Sequence, residues 1–89
     1  MCPSDIYQLP VSDNGFGPGS EVFASELQHP CSIAVQDTQL DGVKIQVQRD
    51  NTKDWKDYEE GQLLIGKNIK CRVAYRGATR KIAIEVFHT

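Results

Sequence analysis

The sequence predicts an all-β fold: a small antiparallel β-sandwich or barrel-like domain of about seven short strands. Three observations carry this. Apolar residues recur with period two in several stretches of five to seven residues. Turn-forming residues separate those stretches. No amphipathic segment of ten or more residues has the 3.6-residue period of a helix. With 89 residues and 39% apolar content, the chain has room for one domain with a thin core.

Residues 1–20 read as an extended N-terminal arm and residues 21–89 as the β-sandwich domain. Pro3, Pro10 and Pro18 interrupt a helix, and Gly15, Gly17 and Gly19 interrupt a strand. The arm nevertheless carries five apolar anchors, Ile6, Tyr7, Leu9, Val11 and Phe16, more than a disordered tail usually holds.

From residue 21 the alternation begins. Residues 21–27 alternate weakly, with Val22 and Phe23 as their apolar content, and His29-Pro30 breaks the run. Cys31, Ile33 and Val35 share one strand face. Asp41-Gly42 signals a turn, after which Val43, Ile45 and Val47 alternate with Lys44, Gln46 and Gln48. A polar loop at 50–54 leads to a short strand-like piece with Trp55 and Tyr58, in which Trp55 is expected to plug the end of the core. Residues 63–65 form a short apolar run. Ile69, Cys71, Val73 and Tyr75 then share one face, as do Ile82, Ile84 and Val86. A loop at 77–80 would join these last two strands as a hairpin, with Tyr75 opposite Ile82, Val73 opposite Ile84 and Arg72 opposite Glu85. The last strand runs to the C-terminus, which makes the N-terminus the expected free end.

The formal net charge of −2 excludes a globally basic nucleic-acid binder. Its distribution is polar: residues 1–43 hold six acids and no Lys or Arg, and residues 44–89 hold all ten cations against six acids. Lys67, Lys70, Arg72, Arg76, Arg80 and Lys81 form a basic stretch with no acid inside it. A single-strand nucleic-acid groove would add exposed aromatic platforms, and Tyr75 falls on the inward phase instead. The stripe suits either an acidic protein surface or the protection of a sheet edge.

Three cysteines, Cys2, Cys31 and Cys71, show no CxxC spacing, against both a zinc ribbon and a disulfide scaffold. Cys31 and Cys71 read as reduced core residues, with a bridge between the sheets as the alternative, and Cys2 as exposed. No segment has the length and apolarity of a transmembrane helix, and the first ten residues lack the basic and apolar regions of a signal peptide. No nucleophile–base pair, phosphate loop or metal-ligand set is marked by spacing. NGFGPG lacks the Lys-Ser/Thr and the helix of a phosphate loop. The acids at 50, 54, 57, 59 and 60 lack EF-hand spacing and are interrupted by Lys53 and Lys56. The expectation is a non-enzyme without cofactor or metal, and without nucleic-acid or membrane partners.

The stretch VKIQVQRDNTKDWKDY at 43–58, followed by Arg72-Val73 and Gly77, is similar to hairpins of small β-sandwich modules with a Trp after a turn. Here Asp50-Asn51 stands where such modules more often have Asp-Gly. Together with the Pro/Gly-rich arm, it resembles small structural proteins of tailed-bacteriophage virions, of the head decoration or cement and tail or neck accessory types. That resemblance implies a non-catalytic assembly protein in the virion, put together in the host cytoplasm, with capsid or tail subunits as partners and symmetric self-association. The expected protein-binding residues are Ile6, Tyr7, Leu9, Val11 and Phe16 of the arm and Lys70, Arg72, Arg76 and Lys81 of the basic face. The alternative is a carbohydrate-binding or adhesive β-sandwich, which would need exposed aromatics among Phe23, Trp55, Tyr58 and Phe87. An interaction domain of another kind stands third.

Overall fold

The computed structural model describes residues 4–12, 15–19, 21–25, 27–37, 39, 40, 42–50, 52–76 and 81–88, with backbone alone at 21 and 22. Seven strands form two antiparallel sheets, and the described residues include no helix. The strands are β1 (Ser4–Pro10), β2 (Glu21–Ser25), β3 (Cys31–Val35), β4 (Lys44–Arg49), β5 (Lys56–Tyr58), β6 (Gly66–Ala74) and β7 (Lys81–His88). One sheet has the order β1-β7-β3 and the other β2-β6-β4-β5. The Cα envelope is a slab of 38 × 32 × 17 Å.

The period-two pattern explains the core. Cys31, Ile33, Val35, Ile82, Ile84 and Val86 come from the three-stranded sheet, and Phe23, Ile45, Val47, Ile69, Cys71 and Val73 from the four-stranded one; all are buried in one cluster. Neither Cys31 nor Cys71 is in a disulfide, and both are fully buried. The expected placement of Cys2 lies outside the described residues, as do Asp13, Asp41, Asn51 and the loop at 77–80.

Three expectations are corrected. The first concerns the arm. Residues 4–10 are a strand of the sheet, paired with β7 from Ser4 opposite Phe87 to Pro10 opposite Lys81. Leu9 is fully buried, and Tyr7 packs against the core with its ring 5.6 Å from that of Phe23. Pro10 does not oppose this, because it ends an edge strand, where a missing N–H breaks no ladder. The seventh strand is therefore β1; at 63–65 Leu64 makes a single bridge to Cys31.

The second correction concerns the last two strands. β6 and β7 lie in different sheets. Glu85 is in register with Ile6 and Ala34, and Arg72 with Gln46. Both strands bury an Ile/Val face, and that is satisfied as well by facing across a sandwich as by lying side by side.

The third concerns Trp55. Its side chain is half-buried and lies outside the core. Tyr58 takes the core position at this end, because residues 56–58 pair with β4 so that Tyr58 stands opposite the buried Ile45. Trp55, in phase with Asp57, emerges on the outer face.

The free edge of β3 is closed group by group. Cys31 exchanges both backbone hydrogen bonds with Leu64, Gly61 N–H donates to Ile33 O, and Val35 N–H donates to the Glu60 carboxylate. Ile33 N–H donates to the Tyr58 hydroxyl at 2.7 Å, and that hydroxyl donates in turn to Gln62 O. The connection from β5 to β6 thus ties the two sheets together along one side. Asp50 takes the left-handed conformation at φ 54°, which Asp tolerates, and its carboxylate accepts Lys67 N–H at 2.8 Å.

Candidate functional site

The outer face of the four-stranded sheet gathers the chemistry that the core does not use. Arg72, Gln46 and Asp57 form a row across β6, β4 and β5. Gln46 is the hinge of the row. Its Oε1 accepts from Nε and Nη2 of Arg72, and its Nε2 donates to Asp57 Oδ1 at 2.9 Å. This fixes the guanidinium plane. Phe16 then lies 4.9 Å, and Trp55 4.4 Å, from the guanidinium carbon, centroid to atom. A cation on two aromatic rings is held by quadrupole attraction as well as by packing.

Two glycines make room for this arrangement. A Cβ at Gly19 would stand 2.4 Å from Cη2 of Trp55. A Cβ at Gly17 would stand 2.0 Å from the carbonyl oxygen of Pro10, and Gly17 N–H donates to Val73 O at 3.0 Å. Segment 15–19 therefore runs against β6 and carries Phe16 onto Arg72. The exposed Lys44 and Lys70 and the half-buried Gln48 share the face.

The expected binding residues divide among several places. Phe16 stacks on Arg72 on this face, and the exposed Lys70 lies on the same side of the sheet. Leu9 is fully buried and so cannot be a contact residue, while Tyr7 and Val11 are half-buried and pack against the core. Ile6 is 52% exposed on the outer face of the other sheet. Lys81 is exposed at the start of β7, and Arg76 is exposed just beyond β6. Trp55 was foreseen as a core plug and as a sugar-platform candidate but not as a partner of Arg72, and Gln46 was not foreseen at all. The phase shared by Trp55 and Asp57 was the available signal for the first; Gln46 depends on the register between β4 and β6.

Of the aromatics a sugar platform would need, Phe23 and Tyr58 are buried and Phe87 is half-buried. The described residues include no cluster of three or more His, Cys, Asp or Glu able to hold a metal ion. His88 Nε2 stands 3.2 Å from Asp5 Oδ2, joining β7 to β1. Burial raises the thiol pKa of Cys31 and the hydroxyl pKa of Tyr58. No family model matches the chain, and no curated protein or solved structure matches it.

Proposed function

We propose that this chain is a non-catalytic assembly module that binds a neighbouring subunit through the outer face of its four-stranded sheet. The observation that supports it is the Phe16–Arg72–Trp55 stack. The few residues that dominate binding energy in protein interfaces are enriched in Trp, Tyr and Arg, and aromatic residues and Arg are enriched at interfaces generally. Here Gln46 orients the arginine, and Lys44 and Lys70 flank it, which suits an acidic partner face. The resemblance to tailed-phage virion proteins supports a capsid or tail subunit as the partner and the virion as the location of that contact.

The test is the protein content of purified tailed particles made by a host that carries the gene. A fixed number of copies per particle supports the reading. Particles that form normally and lack the chain contradict it.

Trp55 on a sheet face also favours a second reading, glycan binding, because flat sheets with outward tryptophans can stack sugar rings. One face of this ring is taken by Arg72 and one edge meets Gly19. Quenching or a shift of Trp55 fluorescence on titration with a panel of oligosaccharides would favour it over assembly.

A further inference from the structure

We infer that β1 is the pairing edge through which two copies of this chain join, antiparallel about a two-fold axis at Ile6. This deepens the assembly reading, on which its biological sense rests, by naming a second copy as one partner.

Two sheets have four edge strands, β1 and β3 in one and β2 and β5 in the other. An open edge invites another strand, and folds blunt such edges by covering, shortening or bulging them. β3 is capped by residues 58–64 as described above. β5 has three residues. β2 carries a register shift between Phe23 and Ser25. β1 is seven residues long and paired without a shift.

The hydrogen-bond phase shows which groups of β1 are open. Gln36 N–H donates to Ala83 O, so Ala83, Glu85 and Phe87 turn their backbone groups toward β3. Ile82, Ile84 and Val86 then turn toward β1, where they meet Leu9, Tyr7 and Asp5. Ser4, Ile6 and Gln8 are left with N–H and C=O aimed outward. All three are exposed, and among the described residues no group caps those backbone atoms. Pro10 fits the same phase, since its nitrogen, which carries no hydrogen, also faces outward.

The strand is self-complementary in one register. With Ile6 on the axis, Ile6 pairs with its own copy, and Ser4 pairs with Gln8 of the second copy on either side. The exposed Ile6 side chains meet across the axis, and Asp5 lies opposite Tyr7. Moving the axis to Asp5 would set two carboxylates opposite each other. Moving it to Tyr7 would put Pro10, which has no N–H, opposite Ser4. The result is one continuous sheet of order β3-β7-β1-β1-β7-β3 with isologous contacts.

The test is sedimentation equilibrium of the full chain from micromolar to millimolar concentration, with two variants. Gln8→Pro removes an outward N–H twice by symmetry, and Ile6→Lys sets two ammonium groups together on the axis. Each should lower the association constant about tenfold or more, with unchanged β circular dichroism and melting temperature. A wild-type chain that stays monomeric overturns the inference, as does association that both folded variants leave unchanged. A monomer found in particles would sink this inference and leave the assembly reading standing. A β1 dimer absent from particles would do the reverse.

Discussion

Arg72 holds its guanidinium 4.4 Å from the ring of Trp55, on the solvent side of the sheet whose inner face buries Cys71 and Val73. The ring is thus a surface element anchored by a cation rather than part of the core. Trp55→Ala should cost about 0.5–2 kcal/mol in chemical denaturation, the range of a partly desolvated cation–π contact. A loss of about 3–5 kcal/mol would be that of a core aromatic and would contradict the placement.

Gly19 should be as sensitive as the ring it touches. Gly19→Ala puts a methyl group where Trp55 Cη2 now stands. The indole must leave Arg72, so the tryptophan emission spectrum should shift while the β circular dichroism stays. An unchanged spectrum would show that segment 15–19 does not lie against Trp55.

Tyr58 ties the sheets through its hydroxyl. Tyr58→Phe leaves Ile33 N–H buried without its acceptor and should cost about 1–3 kcal/mol. Thermal or urea unfolding measures it, and a neutral result would show that this side of the sandwich is held by the Leu64–Cys31, Gly61–Ile33 and Val35–Glu60 bonds without the tyrosine hydroxyl.

Alkaline pH should unfold the domain early. Burial raises the Tyr58 hydroxyl above its ordinary 10.0 and the Cys31 thiol above its ordinary 9.0. Both ionise more easily in the unfolded chain. The stability they hold is fully present below those ordinary values and is lost as pH rises through the raised ones. Melting temperature should therefore fall above about pH 9–10, and Tyr58→Phe with Cys31→Ala should flatten the fall. An equal slope in the double variant would assign it to other groups.

The alternation made most strands legible. Cys31–Val35 and Lys44–Arg49 need nothing beyond period two, because one face is buried and the other wet. β1 was hidden by its flanking prolines and by Ile6, an apolar residue on the wet side, although Tyr7 and Leu9 carry the inward phase. The partner of β6 was illegible for a physical reason. A buried Ile/Val face does not tell a neighbour in the same sheet from one across the core. The stack was half legible: an arginine and two aromatics are visible, but their meeting depends on the register that sets Gln46 beside Arg72 and on the bare backbone of Gly17 and Gly19.

Residues 4–10 are an edge strand, bonded on one side and open on the other, and amide hydrogen exchange read by NMR on the dilute chain reports both sides at once. Exchange should alternate, with Asp5, Tyr7 and Leu9 protected by β7 and Ser4, Ile6 and Gln8 exchanging fast. Raising the concentration should slow Ile6 and Gln8. Fast exchange along the whole segment would rule the edge strand out, because it would make these residues the free arm that their prolines suggest.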